Sequence, residues 1–261
     1  MNKKSQITIF VILSVIILAI GAIIVLSFSE NQRTTLESEA ATLSSDPQVN
    51  LVREYIENCL KLEVEEQAYS NQLSGGYYET PPNDRYAFDE ELKVPFYVFA
   101  GQEQIPSLDI LERQLEIAIN ENIGSCINNL EEFDMVFQEI NIEEFDSEIS
   151  IQEDFILAFL NVPINLLNAD TQERSNIERF QVEVENDYRR HYNLVKEFIN
   201  LHSGDFSRIP RSDLNMHVYQ NNFRYEEKPQ NFDVNIYNFI FEESGTERLT
   251  EFQFAIKYEW E

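Results

Sequence analysis

The sequence predicts an α+β protein: an N-terminal transmembrane helix followed by an extracytoplasmic domain of about three helices and antiparallel strands, ending in a β-hairpin. Three observations carry that reading. Residues Gln6 to Ser29 contain no charged side chain and are strongly apolar from Ile7 to Phe28. From Val49 to Leu60 and again from Leu108 to Ile119 the apolar residues recur at three and four, the period of a helix face. Beyond Leu130 they alternate, as half-buried strands do.

At roughly 1.5 Å per residue the apolar run is just long enough to cross a hydrocarbon core of about 30 Å. Lys3 and Lys4 precede it and the acids begin only at Glu30, so the N-terminus is expected in the cytoplasm and the bulk outside. A cleaved secretory signal is the competing reading. Such signals have apolar cores of about 7–15 residues, and a cut after Ala19-Ile20-Gly21 would leave Ala22 to Leu26 as a new apolar terminus. Retention as an anchor is therefore preferred. Ser14, Ala19, Gly21 and Ala22 are followed four residues later by Leu18, Ile23, Val25 and Leu26, so the segment carries no small-xxx-small pair for close helix dimerisation.

Residues 30–46 read as a polar juxtamembrane spacer, and 47–261 as the extracytoplasmic domain, with a sub-boundary near 130. Asp46-Pro47 is a helix start, Asp capping and Pro opening the first turn. Val49, Val52, Tyr55, Ile56, Cys59 and Leu60 then form one stripe of a helix expected to reach Leu73, with Ser74-Gly75-Gly76 ending it. Tyr77 to Pro82 and Val94 to Phe99 read as short strands that Pro81, Pro82 and Pro95 confine to edges or bulges. Pro106-Ser107 opens a second helix through Leu108, Leu111, Leu115, Ala118 and Ile119, with Cys126 near its end. Strands are expected at Met135–Ile142, Glu148–Glu153, Phe155–Leu167 and Ile177–Val184, and a third helix from Asp187 to His202. Phe232, Val234 and Ile236, the turn Ser244-Gly245, and Phe252, Phe254, Ile256, Tyr258 and Trp260 predict a terminal hairpin with one buried face.

The net charge of −28 becomes −30 once Lys3 and Lys4 are set aside with the membrane segment. A surface so acidic repels phosphate backbones, which excludes nucleic acid as a partner. The acids are scattered, without the Asp-rich, Gly-containing spacing of a calcium loop. Cys59 and Cys126 are the whole cysteine complement. If the topology holds, both face an oxidising compartment, where a disulfide between them is predicted. Two separate buried thiols are the alternative. No Asn-x-Ser/Thr sequon, Cys-x-x-Cys or Gly-x-Ser-x-Gly occurs, which removes N-glycosylation, zinc-ribbon chemistry and a serine elbow.

His191 and His202 share a helix face but stand roughly 16 Å apart by helical rise, too far to share a metal ion. With His217 they read as histidines at the boundary of the core. Gly75-Gly76 follows a helix with no Lys behind it, so it is a helix stop and not a phosphate cradle. Arg189-Arg190, Arg208 and Arg211 are expected to balance neighbouring acids. No catalytic residue, cofactor or metal site is singled out.

The stretch Lys3-Lys4-Ser5-Gln6-Ile7-Thr8-Ile9-Phe10 resembles the class III signal of archaeal type IV pilin-like proteins. The resemblance implies cleavage between Ser5 and Gln6 with the apolar helix retained. Phe10 stands at the fifth position after that point, where pilins often carry Glu. The wider layout resembles a group of uncharacterised archaeal single-pass membrane proteins, through Val52 to Leu60, Gly75-Gly76-Tyr77-Tyr78 and Ser125-Cys126-Ile127. That likeness implies no activity and supports pairing of the cysteines. The expectation is a structural or protein-interaction protein of the cell surface, held in the bilayer by residues 6–29. Its partner is expected to be another surface protein, and self-association is open to it. The alternatives are a pilin-like filament subunit and a surface-tethered hydrolase using scattered carboxylates.

Overall fold

The computed structural model describes residues 46–79, 86–89, 92–202, 204–242 and 249–259. The apolar run 6–29, Lys3, Lys4, the Ser5/Gln6 junction, the spacer up to residue 45, Pro81-Pro82, the Ser244-Gly245 turn and Trp260 lie outside them. Among the described residues no helix is long and apolar enough to cross a membrane. Contacts divide the chain into two units, Met1–Asn50 and Leu51–Glu261.

Helix α1 spans Pro47–Leu73. Asp46 caps it as expected, its Oδ1 accepting the Gln48 N–H at 2.9 Å. Val52, Ile56, Cys59, Leu60, Val64 and Ala68 form a buried stripe. Gly75 and Gly76 take left-handed φ of +58° and +82°. The Gly76 N–H then reaches the Asn71 carbonyl and the Gly75 N–H that of Gln72, closing the last turn. A Cβ on Gly76 would lie 2.1 Å from Leu111 Cδ2, so packing as well as φ demands glycine there.

The strand expected at Tyr77–Pro82 is absent from its described part. Tyr78 and Glu79 donate their N–H groups to the Gln114 side chain at 3.0 and 2.9 Å in place of a ladder. The first strands are β1 (Tyr86–Asp89), β2 (Leu92–Phe99) and the two-residue β3 (Gln102–Glu103). Helix α2 (Leu108–Asn122) follows, and a single turn α3 (Gly124–Ile127) carries Cys126.

Strands β4 (Phe137–Ile142), β5 (Asp146–Ile151), β6 (Phe155–Asn168) and β7 (Arg174–Glu185) form a four-stranded sheet. β6 is its spine. β7 lies along one edge, while β5 and β4 share the other, pairing with Ile156–Asn161 and Ile164–Asn168. Alternate side chains of β6 from Ile156 to Asn168 are buried. The β6–β7 register shifts between Asn161 and Ile164, around Pro163, which lacks an N–H for the ladder. The edge of β5 is closed by α2. Glu112 Oε1 accepts the Ile151 N–H at 2.8 Å and Glu116 Oε1 the Ile149 N–H at 3.0 Å.

Helices α4 (Tyr188–Leu201) and α5 (Arg211–Asn221) lead into β8 (Arg224–Pro229), β9 (Val234–Glu242) and β10 (Leu249–Lys257). The second sheet runs β1-β2-β10-β9-β8, with β3 on β2. The β9–β10 hairpin is present in antiparallel register from Leu249↔Glu242 to Lys257↔Val234. Two expectations need correction. The strands are not all antiparallel, because β10 lies parallel to β2, a pairing the long connection through α2, the other sheet and α4 permits. The hairpin is also buried on both faces, because each face is covered. One face packs on α4, with Phe198 5.1–5.8 Å from Tyr237, Phe239 and Phe254. The other joins Val234, Ile236 and Ala255 to Ala87, Val94 and Phe96. Phe232 falls before β9 and is 84% exposed.

Candidate functional site

The described chemistry collects around α1 and the hairpin. Cys59 faces inward from the α1 stripe and meets Cys126 on α3, with Cα atoms 6.0 Å apart and the sulfurs at bonding distance. The pair closes 67 residues of chain. Tyr55, one turn before Cys59, points its hydroxyl at the Asn129 carbonyl at 3.2 Å and packs its ring on Phe133. The cysteine predicted at the end of the second helix thus lies just past it, where Ile123 and Gly124 break α2 from α3.

At the other end of α1, two adjacent amides meet α4. Asn71 Oδ1 accepts a short hydrogen bond from the Tyr188 hydroxyl, and Gln72 Oε1 lies 2.8 Å from His191 Nδ1. Gln72 Nε2 donates to the Ala68 carbonyl, which leaves its oxygen to accept and so places the histidine proton on Nδ1. The His191 ring stacks on Phe241 at 3.9 Å. Burial, reinforced by the positive charge of Arg190, pushes its pKa down to about 3.

A second network runs through the hairpin. The hydroxyls of Tyr237 and Tyr258 are 2.6 Å apart, and His202 Nε2 is 3.2 Å from that of Tyr258. Outward from it, Asn235 donates to Glu227, which also holds Arg211 at 2.9 Å. Burial raises both phenols far above the usual tyrosine range and lowers His202, against the pull of the Phe198 and Ile199 carbonyls. Phenols that stay protonated and a neutral imidazole make a hydrogen-bonded lock between α4 and the sheet, with no charge to offer a substrate.

The three histidines are therefore core residues, deeper than the boundary positions expected, and each has its own partner. His217 Nε2 lies 3.0 Å from the Leu194 carbonyl. No three His, Cys, Asp or Glu side chains converge as metal ligands among the described residues. The arginines balance acids: Arg189 pairs with Glu153, Arg190 with Asp187, Arg208 with Asp205 and Arg211 with Glu227. On the four-stranded sheet a cleft of about 270 Å³ is bordered by Glu139, Asn141, Asn165 and Arg174, with Glu139 its one acid. The carboxyls that burial raises, Glu57 and Glu63, are both on α1 and do not line it. A pair of carboxylates for hydrolysis is not assembled there.

The networks involving Asn71, Gln72, Tyr237 and Tyr258 were not predicted from the sequence. The signal for the first was available: two amides where the α1 stripe calls for apolar residues, a pattern that marks a buried polar junction. The chain matches no protein-family model, no curated protein and no solved structure.

Proposed function

We propose that this chain is a structural or protein-interaction protein of the cell surface. In this reading residues 6–29 anchor it in the membrane with Lys3 and Lys4 on the cytoplasmic side, and its α+β head stands outside. The observation that carries the reading is the Cys59–Cys126 pair at bonding distance. A disulfide persists in oxidising compartments and is rare in the cytosol, which agrees with the topology drawn from the charges flanking the apolar run. The excess of 47 acidic over 19 basic residues favours a partner with a basic face over lipid headgroups or nucleic acid. Chemical labelling of thiols on the denatured, unreduced protein from native membranes tests this. Absence of free thiol is expected, and two free thiols would overturn the placement of the head.

The second reading, a pilin-like filament subunit, is favoured by the Lys4-Ser5-Gln6 junction alone. Intact mass and N-terminal sequencing of the native protein decide between them. A start at Gln6, together with long polymers in sheared surface fractions, would replace the simple anchor with the filament.

A further inference from the structure

On the face of the six-stranded sheet turned away from α4, the register places Glu226, Asn238 and Gln253 side by side on β8, β9 and β10. Directly opposed residues have Cβ atoms about 4.5–5.5 Å apart and project to the same side. Glu251, two residues before Gln253, joins the row, since Asn238 Nδ2 donates to its Oε2 at 2.6 Å. That bond fixes the amide. Flipping it would set Asn238 Oδ1 against a carboxylate, so the oxygen is the acceptor left without a donor.

Asn238 and Gln253 are only 3% and 4% exposed, yet Asn238 Oδ1 and Gln253 Oε1 have no hydrogen-bond donor among the described residues. Leaving a buried acceptor without a partner costs about 1–3 kcal/mol, and here two occur on directly paired residues. What this pocket of oxygens lacks is positive charge or donors. Lys228, on the same face of β8, is held by Asp89 at 2.7 Å. Arg224 flanks the row beside Ile240 and is the internal competitor for it.

We propose that Glu226, Asn238, Glu251 and Gln253 form a binding site for a hard divalent cation, with calcium the fitting ion. Two carboxylates and two neutral amide oxygens are the ligand types calcium takes, and the flexibility of its coordination lets water complete the shell of six to eight. Calcium satisfies both orphaned oxygens in one step. The site is built from strand register, and so it carries no loop motif in the sequence.

The experiment is calorimetric titration of the full chain, stripped with chelator in neutral detergent, with calcium chloride, alongside its melting temperature. One saturable calcium per chain is expected, with a Kd on the order of 0.1–1 mM as in extracellular modules, and a melting temperature that rises with calcium. Glu226→Gln, at an exposed position that does not threaten folding, should weaken binding about tenfold or more. Glu183→Gln on β7 should leave it unchanged. Gln253→Leu should abolish it and, by removing an orphaned oxygen, should melt no lower than the calcium-free wild type. Failure to saturate below several millimolar overturns the site. So does binding that Glu226→Gln and Glu183→Gln weaken equally, which would be adsorption to the acidic surface.

Discussion

His191 should make the head acid-labile by an amount its surroundings set. The side chain is 1% exposed, and its pKa lies at about 3 against a usual 6.5. In the folded protein the ring stays neutral to low pH, whereas in the unfolded chain it takes up a proton near 6.5. A base depressed by folding contributes stability that is whole above the unfolded pKa and is lost as pH falls toward the folded one. For this pair of values the loss is about 2 kcal/mol at pH 5 and about 3 kcal/mol at pH 4. Glu57 and Glu63 act in the opposite sense. Their raised pKa values make the folded state the better proton acceptor, so they add stability as pH falls. The histidine must therefore be isolated by subtraction. Urea unfolding of wild type and His191→Gln from pH 7.5 to pH 4, followed by near-ultraviolet circular dichroism, gives the difference curve. Wild type should lose its advantage by about 2 kcal/mol between pH 7.5 and pH 5. A flat difference, or an imidazole that titrates near 6.5 by nuclear magnetic resonance, would refute the argument.

Cys59→Ser with Cys126→Ser should lower stability by about 4 kcal/mol, the chain-entropy value for a loop of 67 residues, and reductant should have the same effect on wild type in urea unfolding. Glu116→Ala strips the Ile149 N–H of its acceptor and should cost about 1–3 kcal/mol, with faster amide exchange at Ile149, whereas Glu116→Gln keeps an acceptor and should stay near wild type. Gly76→Ala combines a left-handed φ with the Leu111 clash and should melt well below Gly204→Ala. Gly204 shares a positive φ of 76° but has none of the described residues beyond its chain neighbours within 4 Å of the added carbon, so backbone strain of about 1–2 kcal/mol is its expected cost.

Elements with a strong local period were readable from the chain. The ends of α1 agree with the expectation because Asp46-Pro47 and Gly75-Gly76 act through nearest neighbours, and β6 and the hairpin follow from alternation. Helix α5 escaped notice because only Leu214 and His217 of its residues are buried, and two positions make no stripe. Strand β8, Arg-Tyr-Glu-Glu-Lys-Pro, sits on a sheet edge with no buried residue to mark it. The parallel β2–β10 pair joins residues some 160 positions apart, beyond any local pattern. Pro95 suggested an edge, yet β2 has a neighbour on both sides. The chain tolerates this because only Phe96 and Val98 of β2 pair with β10, across a register shift, so the proline nitrogen falls outside that ladder. The same limit applies to the candidate sites. Cysteines announce themselves by type, but Asn238 and Gln253 acquire meaning only when register sets them opposite each other.

Within the unit Leu51–Glu261, α1 is the element tied to every layer, and its ties differ in kind from its apolar stripe. Arg53 donates to the Arg179 carbonyl on β7 and lies over the Phe180 ring. Cys59 meets Cys126 on α3. Asn71 and Gln72 engage α4, and just past the helix the Gly75 carbonyl accepts from the Tyr97 hydroxyl on β2. Apolar packing alone sets the face a helix buries but discriminates weakly against a slip of one turn, since residues three and four apart replace one another on the stripe. The bonds at positions 53, 59, 71, 72 and 75 forbid the slip, because a shift would break the disulfide and strand the buried Tyr188, His191 and Tyr97 partners of Asn71, Gln72 and Gly75. Held at positions 53, 59, 71 and 72, and through the Gly75 carbonyl, the helix stays in one register against both sheets. That gives the Cys59–Cys126 pair a role in fixing the register of α1 that requires no chemistry at the sulfurs.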